Sequence, residues 1–274
     1  MLVIILESNK EKPMPFLNID SQSIHYVDHG GSGPAIILSH GFSMDHQMWS
    51  EQIEPLTSAG WRVVTYDERG WGQTSSSGEF SYWDLADDLL ALMDFLDIQE
   101  AVLAGMSQGG FLSMRLALSN PERVRALVLV DTEGSALAVE EKTLFRGLYD
   151  SARQNGMSGP VGETLASLLF APDFSETNFW RGKWNSKNPE EWNDAAECLF
   201  ERDDIDERLG EIKCPALVLH GDLDASIPIE RGEKMASLLG GETFFHKVEG
   251  AGHSANLEKP EIVNPILLDF LASL

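Results

Sequence analysis

One stretch, Gly105-Met106-Ser107-Gln108-Gly109, constrains the fold more than any other feature of the chain. An apolar run, Ala101 to Leu103, precedes it, and apolar residues at helical spacing, from Phe111 to Leu118, follow it. The sequence therefore predicts a buried strand, a tight turn and a helix. Glycine is expected on both sides of the serine because larger side chains would clash with the adjacent strand and helix. Such a turn exposes the Ser107 hydroxyl at the carboxyl edge of a sheet and directs the first helical N–H, that of Gln108, toward whatever the serine attacks.

Strand and helix patterns alternate through most of the chain. The strands are predicted at residues 16–19, 24–27, 35–38, 62–66, 101–103, 126–130, 216–219 and 243–248. Amphipathic helices are predicted at Asp84–Leu96, Ile229–Leu239 and Glu261–Leu271. Short connections between them indicate an α/β protein with a mostly parallel sheet wrapped by helices. Sites in such sheets lie at the carboxyl ends of the strands, where the sequence puts His40-Gly41-Phe42, Ser107 and Asp131.

The alternation stops between residues 135 and 213, where the pattern is helical and rich in Trp and Phe. We predict a helical cap at 135–213, inserted into a core formed by 14–134 and 214–274. Residues 1–13 are expected to be a dispensable extension, or Met14 to be the true start. Most aromatic rings of the cap, among them Trp192, should hold it on the core. The predicted substrate-pocket residues are Met106, Leu148, Trp180 and Trp184.

Composition narrows the class of partner. The net charge of −24, from 44 acidic against 20 basic residues, disfavours nucleic acid and anionic membrane surfaces. No run approaches the roughly 20 apolar residues of a membrane span. Two cysteines are too few for a disulfide framework and indicate a reducing compartment, the cytoplasm. No glycine-rich phosphate cradle occurs, so no cofactor is expected. We expect a monomer or homodimer acting on a small molecule.

A serine hydroxyl is a poor nucleophile without a base, and the base needs an orienting acid. Candidates for both follow later strands, in His220-Gly221-Asp222-Leu223-Asp224 and in Gly250-Ala251-Gly252-His253. Five motifs occur in order: His-Gly-Phe at 40–42, Asp-x-Arg-Gly-x-Gly at 67–72, Gly-x-Ser-x-Gly at 105–109, Gly-x-x-Asp-x-x-x-Pro at 221–228 and Gly-x-Gly-His at 250–253. With these motifs the chain resembles the α/β-hydrolase family over nearly its whole length from Met14.

The resemblance implies an eight-stranded α/β-hydrolase fold with a cap, and it implies roles for the catalytic residues. Ser107 would be the nucleophile, His253 the general base and then acid, and Asp224 the acid that orients His253. Asp222 is an alternative acid, although the spacing to the motif's proline favours Asp224. Asp131 is a second alternative, since some members of the family place the acid after that strand.

The resemblance also assigns the residues around the nucleophile. The oxyanion donors would be the backbone N–H groups of Phe42 and Gln108. His40 is expected to brace the oxyanion loop, Arg69 to pair inside the fold and His46 to have a surface role. No metal site is expected, because Asp222-x-Asp224 alone is a weak signal and because His25, His29 and His246 are expected to form no cluster of metal ligands.

The residue at the turn limits the chemistry. Dehalogenases and epoxide hydrolases of this family carry Asp where Ser107 stands, and cofactor-free haloperoxidases usually carry Met where Gln108 stands. Hydrolysis of a carboxylic ester or lactone is the prediction, by similarity to small bacterial carboxylesterases such as monoalkyl phthalate hydrolases and to 3-oxoadipate enol-lactonases. Carbon–carbon hydrolysis of ring-cleavage products and a non-enzymatic ligand receptor on the same fold stay open as alternatives.

Overall fold

The computed structural model describes residues 16–19, 22–76 and 78–274. The predicted extension, Met14 and residues 20 and 21 of the first predicted turn lie outside them. The strands form one eight-stranded sheet in the order β1-β2-β4-β3-β5-β6-β7-β8. Their bounds are Phe16–Ile19 (β1), Gln22–Asp28 (β2), Ala35–Ser39 (β3), Arg62–Tyr66 (β4), Ala101–Met106 (β5), Val124–Val130 (β6), Ala216–Gly221 (β7) and Thr243–Val248 (β8).

The sheet is parallel from β4 to β8, and only β1 and β2 pair antiparallel with their described neighbours. The central strands are buried on both faces, which explains their continuous apolar runs. In β3, Ile36 and Leu38 pack into the core on one face of the sheet, whereas Ile37 packs into the core on the other. The mostly parallel, doubly covered sheet predicted from sequence is confirmed.

Helices cover both faces of the sheet. Residues of α1 and α10 join the core on one face, and residues of α2, α3 and α8 join the core on the other. The bounds are Ser50–Ser58 (α1), Tyr82–Phe95 (α2), Gln108–Ser119 (α3), Val139–Asn155 (α4), Gly159–Leu169 (α5), Thr177–Ser186 (α6), Pro189–Phe200 (α7), Ile229–Leu238 (α8), Ala255–Glu258 (α9) and Pro260–Ala272 (α10).

The segment between β6 and β7 is helical, as the sequence pattern indicated, and contains α4 to α7. Asn188 caps α7 by accepting a hydrogen bond from the N–H of Glu190, and Pro189 occupies the first turn. The Trp180, Trp184 and Trp192 side chains are buried in the same apolar cluster as residues of the sheet. These contacts attach the helices α4–α7 (hereafter the cap helices) to the sheet. In the described part of the chain, no helix is both long and apolar enough to cross a membrane.

Candidate active site

Ser107 lies in the turn between β5 and α3, in a strained backbone conformation with φ 51° and ψ −114°. Glycine is required on both sides of it. A Cβ on Gly105 would lie 2.2 Å from the backbone carbonyl of Gly109, and a Cβ on Gly109 would lie 2.3 Å from the carbonyl oxygen of Ser39. The steric reason predicted for these glycines is confirmed. Hydrogen bonds anchor the turn to β6, since the Ser107 N–H donates to the carbonyl of Val130 at 2.8 Å.

Three side chains form a continuous hydrogen-bonded chain at this turn. The Nε2 atom of His253 lies 3.0 Å from the Oγ of Ser107, and the Nδ1 atom of His253 lies 2.7 Å from the Oδ2 of Asp224. Since a carboxylate only accepts hydrogen bonds, Nδ1 carries the proton and its N–H donates a hydrogen bond to Asp224. Nε2 is then unprotonated and can accept a hydrogen bond from the serine hydroxyl. The loops after β7 and β8 therefore bring an acid and a base to the serine that follows β5.

Backbone hydrogen bonds hold Asp224 in position, and two neighbouring histidines keep it charged. The second oxygen of Asp224, Oδ1, accepts from the N–H of Ser226 at 2.8 Å and from that of Ile227 at 2.9 Å. Burial alone would raise the pKa of Asp224, but His253 and His220 beside it lower that pKa below its ordinary value. Asp224 is therefore ionised near neutral pH and can stabilise a positive charge on His253.

The other two candidate acids have different partners. Asp222 accepts a hydrogen bond from the N–H of Gly250 at 2.7 Å. Asp131 accepts from the N–H of Gly221 at 2.7 Å and from that of Ala255 at 2.8 Å. These bonds connect the loops that carry the acid and the base, so both residues support the site without contacting its histidine through a hydrogen bond of the described structure.

His220, to which the sequence analysis gave no role, lies directly behind the acid. Its Nε2–H donates to the carbonyl of Ile227 at 2.8 Å, and the same nitrogen lies 3.3 Å from the Oδ2 of Asp224. The ring is fully buried. Its position at the end of β7 could have been inferred from sequence, but its orientation toward Asp224 depends on the turn that follows.

The predicted oxyanion donors lie on both sides of the serine. Gln108 is the first residue of α3, where unpaired N–H groups and the helix dipole favour negative charge. Phe42 lines the same cavity as Ser107, and its neighbour Gly41 approaches the serine so closely that a Cβ there would lie 3.7 Å from the Cβ of Ser107. Within the described residues, the N–H groups of Phe42 and Gln108 donate no hydrogen bond, so both are available to a ligand.

A network of buried polar side chains holds Gln108 and the loop after β3, which contains Gly41 and Phe42, in place. His40 donates from Nδ1 to the carbonyl of Gly41 at 2.8 Å and accepts at Nε2 from the N–H of Glu68 at 2.9 Å, as expected of a bracing residue. The amide of Gln108 donates to the side chain of Glu68 and accepts from the hydroxyl of Tyr82. Burial, and next to it the charge of Asp67, raise the pKa of Glu68 well above its ordinary value, which favours the neutral form of this side chain. The role of Glu68 was not predicted, because a carboxyl group usually indicates an exposed position.

Ser107 and His253 line a cavity of about 60 Å³ beneath the cap helices. Since a water requires about 10–15 Å³ of such space, the cavity has room for a short organic group. The lining is mostly apolar and includes Phe111, Leu137, Phe145, Tyr149, Leu165, Leu168, Leu169, Leu199 and Ile227. An apolar cavity beside the hydroxyl of Ser107 could hold the small hydrocarbon part of a ligand.

The sequence-based prediction of the pocket needs correction. Of the described residues, those that line the cavity do not include Met106, Leu148, Trp180 or Trp184. Met106 is fully buried beneath Gly41, whose Cβ would meet its sulfur at 2.3 Å. The indole N–H of Trp184 donates to the carbonyl of Ser43 at 2.7 Å, so this ring joins the cap helices to the loop after β3. The cavity is lined instead by aliphatic residues of α5 and by α4 aromatics.

The histidine prediction also needs correction, because His25 does belong to a cluster of side chains that could ligate a metal. Possible ligand atoms of His25, His46 and Asp67 lie within 4.8 Å of one another. Both rings contact the carboxylate through Nδ1, at 2.8 and 2.7 Å, and Asp67 also accepts from the N–H of Gln73 at 2.9 Å. These hydrogen bonds account for the cluster as the support of the loop after β4. Arg69 pairs inside the fold as predicted, with Asp88 of α2 at 2.6 Å.

The fold and the site together define the class of protein. The chain belongs to the α/β hydrolase fold family, whose family model matches residues 34–260. The hydrolase family predicted from the motifs is therefore confirmed, and esterases and enol-lactonases are among the proteins that the chain is similar to.

Individual relatives cover almost the whole chain and differ in their activities. A solved esterase from Thermogutta terrifontis is 30% identical, with a TM-score of 0.85 over 92% of this chain and 94% of the other. A 2-hydroxy-6-oxononadienedioate/2-hydroxy-6-oxononatrienedioate hydrolase of Paraburkholderia phymatum is 33% identical, with 90% of each chain covered. A protein of a Synechocystis strain, provisionally named a non-heme chloroperoxidase, is 30% identical over 94% of this chain and all of its own length. Relatives named 3-oxoadipate enol-lactonases match as well.

Proposed function

We propose that this protein is a serine hydrolase that cleaves a carboxylic ester, or a lactone, of a small and partly apolar substrate through an acyl-enzyme on Ser107. The observation that supports it most is the hydrogen-bonded chain from Ser107 through His253 to Asp224 at the wall of an apolar cavity. The esterase and enol-lactonase relatives agree with this chemistry.

In the first half of the reaction, the Nε2 of His253 takes the proton from Ser107 as its oxygen attacks the substrate carbonyl. Asp224 stabilises the imidazolium that forms. The N–H groups of Phe42 and Gln108 donate to the developing oxyanion, and each such donor is typically worth about 10²–10³ in kcat. His253 then protonates the departing alcohol oxygen, which leaves the acyl group on Ser107.

In the second half, the same histidine activates water. Nε2 accepts a proton from the water as its oxygen attacks the acyl-enzyme, and the tetrahedral intermediate uses the same oxyanion donors. His253 returns the proton to the Ser107 oxygen as the carboxylic acid leaves. For a lactone, the alcohol and acid are parts of one product.

Carbon–carbon hydrolysis of ring-cleavage products is the alternative, because the hydrolase of Paraburkholderia phymatum is also similar over most of the chain. A ligand receptor on the same fold is a weaker alternative, since it would not require the intact hydrogen-bonded chain. We also propose that the protein acts in the cytoplasm without a cofactor, as a monomer or homodimer, and binds neither nucleic acid nor membranes.

A substrate panel separates these functions. The kcat/KM of the wild-type chain is measured on simple esters, on lactones and on vinylogous diketones, with Ser107→Ala as the matched control. We expect turnover of esters or lactones that the control loses. Turnover of the diketones alone would favour carbon–carbon hydrolysis, and labelling of Ser107 by an organophosphonate without turnover of any substrate would favour a receptor.

A further inference from the structure

Two charged side chains interrupt the apolar wall of the cavity that contains Ser107. Glu133 follows β6, and Arg202 follows α7. Both are buried, with exposed fractions of 1% and 7%. The other ionisable side chains among the described lining residues are those of His253 and Tyr149.

The guanidinium of Arg202 is held from several sides. Its Nη2 donates to the Oε1 of Glu133 at 2.6 Å, its Nε donates to the carbonyl of Ser135 at 3.0 Å, and its carbon lies 4.6 Å from the centre of the Phe111 ring. The remaining nitrogen, Nη1, donates no hydrogen bond to any described residue. A fixed guanidinium with a free N–H is a donor prepared for an acceptor on a ligand.

A contribution to the stability of the fold does not explain well why Glu133 and Arg202 are buried together. Taking an arginine and a glutamate out of water is costly, and apolar side chains of similar volume usually stabilise a core as well or better. Leu137 and Leu199 line the same cavity, which shows that apolar side chains are accommodated in its wall. The charged pair therefore indicates a function in the cavity.

Within the network of ion pairs that contains Glu133 and Arg202, the charges sum to zero, and this balance favours one kind of acceptor on the substrate. Arg231 lies 3.3 Å from Glu133 and also pairs with Glu141 of α4, so two arginines face two glutamates. A substrate carboxylate would add a third negative charge beside the buried Glu133. A neutral carbonyl oxygen would accept from Arg202 without that repulsion.

We propose, on the basis of the ester or lactone hydrolysis proposed above, that Arg202 determines specificity by donating a hydrogen bond to a neutral acceptor on the substrate. The substrate class is a short ester or lactone whose group in the cavity carries a keto or amide oxygen. Glu133 orients the guanidinium and neutralises it, so the site discriminates against both a plain alkyl group and a free carboxylate.

Three methyl esters of similar size test the proposal: methyl 4-oxopentanoate, methyl pentanoate and monomethyl succinate, followed by proton release. We expect kcat/KM for the keto ester to exceed that of the alkyl ester by about tenfold or more, with the carboxylate the poorest. Acetates of pentanol and of 5-hydroxy-2-pentanone test the alcohol side in the same way. The proposal is overturned if neither series prefers the keto oxygen or if the carboxylate is preferred. If neither these esters nor the lactones of the substrate panel are hydrolysed, the proposed function fails instead.

Variants assign the preference to the pair. In Glu133→Gln/Arg202→Met, which leaves no unpaired charge between these two positions, the ratio of keto to alkyl kcat/KM should fall to that of uncatalysed alkaline hydrolysis. Arg231→Gln is the matched control, because Arg231 contacts Glu133 but is not among the described residues that line the cavity. Its ratio should equal the wild-type ratio. An equal change of ratio in both variants, or no change in the double variant, would mean that the cluster only joins the cap helices to the core.

Discussion

Asp224→Asn replaces one carboxylate oxygen by an NH₂ group, and this change tests whether Asp224 is the acid that orients His253. The Oδ1 of Asp224 accepts from the N–H groups of Ser226 and Ile227, and its Oδ2 accepts from Nδ1 of His253. In Asp224→Asn the amide oxygen should keep the Oδ1 position, because turning the amide would leave two buried N–H donors unpaired, at about 1–3 kcal/mol each. The amide NH₂ then faces Nδ1 of His253 and donates to it.

That donation forces the wrong tautomer on the base. With Nδ1 accepting, Nε2 of His253 carries the proton and cannot accept one from Ser107. A loss of about 10⁴-fold in kcat follows, as is typical when a carboxylate in this position becomes an amide. The loss corresponds to about 5 kcal/mol of transition-state stabilisation. The fold should be retained because the backbone hydrogen bonds to the side-chain oxygen persist.

The assay is kcat/KM on a p-nitrophenyl ester, with thermal unfolding followed by circular dichroism, for three variants of matched chemistry. Asp131→Asn removes one acceptor for a backbone N–H, so it should lower stability by about 1–3 kcal/mol and change kcat by less than about tenfold. Asp222→Asn, at an exposed position, should change both quantities less. A folded Asp131→Asn without activity, beside a nearly normal Asp224→Asn, would refute the reasoning.

Three further predictions follow from the site and its supports. Burial lowers the pKa of His253, but the charge of Asp224 outweighs burial, and the pKa is raised overall. Since the base must be neutral, kcat/KM on an uncharged ester should rise with pH through a midpoint above about 6.5. A midpoint below about 6 would contradict this. Gly109→Ala places a Cβ 2.3 Å from a backbone oxygen of β3 and should lower the free energy of unfolding by about 3 kcal/mol or more. Gly147→Ala, in open space on α4, should leave the free energy of unfolding unchanged or raise it by up to about 1 kcal/mol. Chemical denaturation measures both changes. Trp184→Phe leaves a buried carbonyl unpaired and should lower kcat/KM by similar factors on every ester; a change confined to some acyl groups would mean that the ring contacts substrate.

Physical reasoning from the sequence was enough to predict the fold, and the resemblance to the α/β-hydrolase family was needed to choose Asp224 and His253 as the partners of Ser107. Runs such as Ile36–Leu38 are apolar at every position only when a strand is covered on both faces, and parallel strands end at the same edge of the sheet. Ser107 and Asp224 each follow such a strand, and His253 follows the partly exposed edge strand β8. All three therefore lie at the same edge of the sheet, and the loops bring them into contact.

The pocket could not be predicted in the same way. Helical spacing shows which face of a helix is buried but not what that face contacts, and Trp184 packs against the core while Leu165 and Leu168 line the cavity. The pair of Glu133 and Arg202 joins residues 69 positions apart, without any local pattern that indicates it. Polar residues that act through long-range contacts, such as Glu68, are found only when the packing is known.

Mass spectrometry of the enzyme quenched during turnover tests the central claim most directly. A p-nitrophenyl ester with slow deacylation is mixed with the protein, and the intact mass and the peptide carrying Ser107 are measured within the first turnover. The account predicts a burst of p-nitrophenol equal to the active enzyme, a mass increase of one acyl group on Ser107, and neither in Ser107→Ala. Hydrolysis that proceeds at the full rate with no acyl group on Ser107, or that persists in Ser107→Ala, would contradict it.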